Sequence, residues 1–125
     1  MRNSSTFLLL LLLAGGCTRP PIEEQVRSLG SREFTPGKWA VATTIERQQM
    51  LGSFFAQHPA GRLTTGQVKK LLGEPTGYHD YEADLAYTIG PPTVESVYGK
   101  ERMLVFVTDK RTGEIMTVEL VPPLP

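Results

Sequence analysis

The chain has 125 residues, with 13 basic and 13 acidic side chains, two histidines, one cysteine and one tryptophan. That length suits one small domain and excludes a large multi-domain enzyme. Zero formal net charge and a pI near 6.7 leave no clustered basic excess of the kind that phosphate backbones attract, so no nucleic-acid partner is expected. A single cysteine forms no internal disulfide, and with no companion ligands nearby it makes no tetrahedral metal site.

The first sixteen residues read as a leader. Arg2 lies in a short polar stretch, Phe7 and the six leucines Leu8 to Leu13 form an apolar block, and Ala14, Gly15 and Gly16 give a small-residue exit. As a helix, the block from Phe7 to Ala14 is about 11 Å long, far short of the ~30 Å of a bilayer core. It is therefore expected to be an export signal and not a span. Cys17 follows at once, and Ala14-Gly15-Gly16-Cys17 reads as a bacterial lipobox, with Ala14 where leucine is usual. Cleavage between Gly16 and Cys17 would free an amine beside a thiol that takes a diacylglycerol, so Cys17 is the expected lipidation site and membrane anchor. Thr18, where some bacteria use aspartate to retain lipoproteins in the inner membrane, permits the outer membrane.

From Cys17 to Lys38, Pro20, Pro21, Gly30, Pro36 and Gly37 lie among charged residues, a composition that predicts a flexible tether with a short helical turn over 22–29. Trp39 beside the Pro36-Gly37 turn is expected to pack on a domain edge. Thr43 to Glu46 fits a capping box, and Leu51, Phe54, Phe55 and His58 recur at helical period, predicting a helix over 44–57 that Pro59 stops, with His58 capping its last carbonyls. Thr64 to Gln67 starts a second, two-turn helix with Val68, Leu71 and Leu72 inward, Lys69 and Lys70 on its solvent face, Gly73 as its cap and Pro75 beyond.

Past Pro75 the period changes to two. Leu85, Tyr87 and Ile89, then Met103 to Val107, then Ile115 to Leu120 predict three strands, the last two joined by the Asp109–Gly113 turn and the first two by a longer exposed loop from Gly90 to Gly99. The expected fold is α+β, a two-layer sandwich of two N-terminal helices on a three-stranded antiparallel sheet, spanning 39–121 with a proline-rich tail at 122–125.

Several of these residues carry a resemblance. Arg47-x-x-Met50, the run from Gly61 to Pro75 with its Thr64-x-x-Gln67-Val68-x-x-Leu71-Leu72-Gly73-x-Pro75 element, Tyr87-x-x-Gly90, and Leu104-Val105-Phe106 followed by Asp109 and Gly113 resemble the SmpA/OmlA (BamE-like) lipoprotein domain. The similarity spans Trp39 to Leu120. It implies a two-helix, three-strand fold, also similar to repeats of the beta-lactamase inhibitor protein, in a family whose best-known member assists insertion of β-barrel proteins into the outer membrane. The Phe34-x-x-Gly37-Lys38-Trp39 segment and the longer spacer after the first helix look more like other lipoproteins of that fold than like the assembly subunit.

Patterns that resemble metal or catalytic sites lack residues their chemistry needs. Asp80, Glu82 and Asp84 alternate as a calcium loop does, but Leu85 stands where glycine is needed and Pro91 where a bidentate glutamate belongs. His79 beside Asp80 lacks a nucleophile motif, and Arg111-Thr112-Gly113 reads as a turn because no Ser-x-x-Lys accompanies it. No cofactor or metal is expected, and no enzyme activity. The expected function is a lipid-anchored envelope protein, in the outer membrane facing the periplasm, that binds an envelope protein partner through an exposed strand edge or the Gly90–Gly99 loop. The alternative is a periplasmic ligand-binding or enzyme-inhibitory module using Tyr78, Tyr81 and Tyr98.

Overall fold

The computed structural model describes residues 19–76, 84–92 and 101–125. Helices precede strands throughout: α1 (Ile22–Gln25) runs into a 3-10 turn (Val26–Leu29), then come α2 (Pro36–Val41), α3 (Thr44–Gln57), a second 3-10 turn (Ala60–Arg62), α4 (Thr65–Leu72), β1 (Leu85–Ile89), β2 (Arg102–Thr108) and β3 (Ile115–Val121). The fold is α+β, with helices laid on a three-stranded antiparallel sheet of order β1-β2-β3.

The expected tether is the main correction. Residues 19–38 fold as part of the domain, because Ile22, Val26 and Leu29 recur at offsets of four and seven and turn one apolar stripe onto α3. Ile22, Val26 and Phe34 belong to the core, with Leu29 packed against it. The backbone is fixed along α3 as well: the Arg32 amide donates to the Gln49 carbonyl at 3.1 Å, the Phe34 amide to Ser53 Oγ at 3.0 Å, and Gln57 Nε2 to the Phe34 carbonyl at 3.0 Å. Gly30, at φ 147°, passes so close to α3 that a Cβ there would lie 2.8 Å from that of Gln49. Pro36 opens a helix: it occupies the first turn of α2, whose N-cap Thr35 accepts from the Lys38 amide at 3.1 Å.

Trp39, carried by α2, is interior and not at an edge. Its Nε1 donates to the Leu72 carbonyl at 3.1 Å, and its ring meets Phe34 and Tyr87 edge-on at 6.1 and 6.4 Å. The two capping boxes are formed as expected: Thr43 with Glu46 starts α3 and Thr64 with Gln67 starts α4, each side chain bonding the other's backbone amide. α3 buries Met50, Leu51, Phe54 and Phe55, and α4 buries Val68 and Leu72 before Gly73 ends it at φ 79°. At the end of α3 the His58 amide bonds the Phe54 carbonyl at 2.8 Å, while its ring packs against Phe54 and Phe34.

The sheet presents Leu85, Tyr87, Ile89, Leu104, Phe106, Val118 and Leu120 to the helices. Ala86 and Val105, opposite one another on the second face, are also fully buried. β2 and β3 pair with one irregularity: Val107 faces Thr117 but Thr108 faces Ile115, so Met116 is the extra residue of a bulge and points outward at 67% exposure. The Asp109–Gly113 turn closes on Gly113 at φ 76°, with Asp109 Oδ1 accepting from the Arg111 amide at 2.7 Å. The last residues are no loose tail, since Arg102 Nε donates to the Pro122 carbonyl at 2.9 Å and Leu124 packs against the core.

Candidate functional site at the edge of strand β3

The two outer edges of the sheet differ. β1 is bordered by Thr76, whose amide donates to the Ala86 carbonyl at 2.9 Å and whose hydroxyl oxygen accepts from the Thr88 amide at 2.8 Å. β3 has no such neighbour: among the described residues, no backbone group outside the β2 ladder bonds to it. A strand edge in that state offers a row of donors and acceptors to an incoming chain.

Beside this edge runs a groove of about 700 Å³, with Arg19 to Ile22 and Gln25 as one wall and Thr117 to Val121 with Pro123 as the other. The first wall is held in shape by Gln25 Nε2, which donates to the Pro20 carbonyl at 2.7 Å, and by Glu23, whose carboxylate accepts from the Ala60 amide at 2.9 Å. Pro20 and Pro21 have no amide hydrogen and so cannot close the ladder themselves, which leaves β3 open although a chain segment lies alongside. Val118 and Leu120 point into the core, while Thr117 and Glu119 are exposed. Arg19 and Glu119 give the groove one charge of each sign. It can hold an extended segment by main-chain hydrogen bonds; among the described residues no cluster of acidic, histidine or cysteine side chains could hold a metal ion.

The sequence-predicted residues fall elsewhere or outside. Gly16, Cys17, Tyr78, His79, Asp80, Tyr81, Glu82 and Tyr98 lie outside the described residues, as does most of the Gly90–Gly99 loop. Asp84 is buried, and its Oδ1 accepts from the Thr108 amide at 3.0 Å, a bond that ties the start of β1 to the end of β2. Lys69 and Lys70 are exposed in the last turn of α4, where cations suit the helix dipole.

Two features escaped the sequence reading. Arg47 donates from Nε to the Trp39 carbonyl at 3.0 Å and lies 4.8 Å from the centre of the Trp39 ring; burial pulls its guanidinium below the ordinary arginine value. Gln48 Oε1 is buried with no hydrogen-bond partner among the described residues, beside Gly90, whose amide donates to the Thr44 carbonyl at 2.9 Å. Neither could be found from spacing, because each depends on a neighbour brought in by tertiary structure. The packed 19–38 segment did carry a signal, the Ile22, Val26, Leu29 spacing. No helix among the described residues is long and apolar enough to cross a membrane. Comparison with protein-family models, with curated proteins and with solved structures finds no match to this chain.

Proposed function

We propose that the chain is a lipid-anchored envelope protein whose folded module binds another envelope protein along the open edge of β3, without enzymatic activity. The observation that carries this reading is the position of Cys17: the only cysteine in 125 residues stands directly after a leader-like apolar block and a small-residue exit. Leader removal and acylation at Cys17 would place the module in the periplasm, at the outer membrane given Thr18. The resemblance to the SmpA/OmlA domain supports a supporting role in outer-membrane protein assembly or envelope integrity, and the open β3 edge supplies a means of contact. Fold likeness alone does not transfer a role, so the partner is the quantity to measure.

The test is mild-detergent purification of a C-terminally tagged chain from its native membranes, with the Cys17→Ser form alongside and mass spectrometry of the N-terminal peptide. The reading requires a diacylglyceryl Cys17 at the mature N-terminus, loss of membrane retention in Cys17→Ser, and recovery of envelope proteins with the acylated form alone. An intact leader or an unmodified Cys17 overturns the anchor, and an acylated chain recovered without partners overturns the interaction role.

A further inference from the structure

The sheet has two ends, and the register fixes which residues share them. At one end Val121 faces Met103, Met103 faces Thr88 and Arg102 faces Ile89; at the other Thr108 faces Ile115 and Phe106 faces Leu85. β3 has seven residues, so the ends are about 20 Å apart. The start of α3 belongs to the first end, because Thr44 and Gly90 exchange two hydrogen bonds of 2.9 and 2.8 Å. The chain also enters there, since Arg19 and Pro20 share a groove with Pro123, Leu124 and Pro125.

Among the described residues three large apolar side chains are exposed, and two of them collect at this same end: Val41 at 84% and Ile45 at 46% flank the start of α3, whereas Met116, at 67%, lies at the other. Arg19 and Arg102 add cations, Glu101 beside Arg102 adds an anion, and the acidic Glu46 nearby has its carboxylate engaged by the Thr43 amide at 2.9 Å. An end of the domain that carries exposed apolar side chains and arginines suits the boundary between headgroups and acyl chains. The reach of the anchor points the same way. Three peptide steps separate Cys17 from Pro20, a span of at most about 11 Å, and five separate it from the buried Ile22, at most about 18 Å.

We infer that the end of the domain formed by Arg19, the Val41–Ile45 corner, Arg102 and Leu124 is a lipid-facing surface that rests on the bilayer when Cys17 carries its acyl chains. The inference rests on the anchor proposed above. The short leash brings that end to the headgroups, the apolar corner enters the interface, and the Asp109–Gly113 turn points away from the membrane. The β3 groove then opens along the membrane normal, with its Val121 end lowest.

The experiment uses the acylated chain purified from its native membranes, with Cys17 shown by mass spectrometry to be acylated and so closed to thiol reagents. Single cysteines are introduced at the exposed positions Val41→Cys and Ile45→Cys, and at Met116→Cys and Arg111→Cys on the opposite end. Each is labelled with an environment-sensitive fluorophore and reconstituted in phosphatidylethanolamine/phosphatidylglycerol vesicles carrying a nitroxide quencher at the lipid headgroup or shallow acyl chain. The labels at 41 and 45 are expected to lose most of their emission, and those at 116 and 111 to keep theirs. Equal quenching at both ends, quenching confined to 116 and 111, or none at all overturns the inference while leaving the anchor standing. Protection of the 41 and 45 labels in native membranes that disappears in protein-free vesicles assigns this end to a protein and also overturns it. An unacylated Cys17 overturns both this inference and the reading beneath it.

Discussion

The outer edges of β1 and β3 belong to the same three-stranded sheet, and among the described residues only that of β1 is bonded by another segment. Along β1, Thr76 supplies an amide to the Ala86 carbonyl and a hydroxyl oxygen to the Thr88 amide, so a single residue stands in for a fourth strand. Along β3, a whole segment lies nearby, Arg19 to Ile22, yet it leaves the ladder unpaired because Pro20 and Pro21 have no amide hydrogen to give. Proximity therefore does not close a sheet; donors in register do. The consequence is directional: an incoming strand finds the Ala86 carbonyl and the Thr88 amide already engaged at β1, whereas among the described residues nothing outside the β2 ladder engages β3.

The groove beside β3 has a first wall only if residues 19–38 are folded. Phe34 is 1% exposed and touches the rings of Trp39, Phe54 and His58, so Phe34→Ala should destabilise the domain by about 3–5 kcal/mol, seen as a lower midpoint in chemical denaturation. A change near zero would mean that residues 19–38 are a tether after all and the groove has no first wall. A smaller loss sharpens the closed edge. Thr76→Val removes the hydroxyl that accepts from the Thr88 amide and should lower stability by about 1–3 kcal/mol, with faster amide exchange at Thr88. Unchanged exchange at Thr88 would show that the hydroxyl does not close that edge.

The helix layer beneath both edges carries a pH signature smaller still. The Thr43 amide, bonded to the Glu46 carboxylate, holds that carboxyl below its ordinary value of 4.5. Because the folded value is the depressed one, this contribution is present above pH 4.5 and fades as pH falls through the folded value. Glu46→Gln should flatten that part of the acid limb by lowering stability slightly at neutral pH, with the two proteins converging at low pH. An acid limb identical in the two proteins would remove the capping box from the account. Smallest in stability is Thr117→Lys on the exposed face of β3, expected within about ±0.5 kcal/mol of the parent, yet placing a charge at the open edge that opposes strand addition. Partner recovery should drop while the melting curve stays put.

What the sequence made legible was local. Thr43 with Glu46 and Thr64 with Gln67 are capping pairs three residues apart, Gly73 before Pro75 is a helix stop, and the alternation through β1, β2 and the part of β3 after Met116 follows the pleat; all of these are formed in the fold. The folding of the N-terminal segment is hidden in composition because Pro36 and Gly30 look like chain breakers, whereas in place one opens α2 and the other permits close approach to Gln49. Met116 was unremarkable in the alternating pattern because a bulge adds one residue without altering hydrophobicity. The candidate site was legible only in kind, as an exposed strand edge. Which edge stays open depends on Thr76 meeting β1 and on Pro20 and Pro21 lying along β3, contacts between segments far apart in the chain.

The most direct measurement places a photo-crosslinking amino acid at Thr117 on the open edge and, separately, at Thr76 on the closed one, in the full-length chain in its native membranes. A discrete protein adduct is expected from position 117, absent from position 76 and competed away when unlabelled chain is expressed alongside. Adducts from position 76 alone, or from both positions alike, would contradict the claim that the β3 edge is where this protein meets its partner.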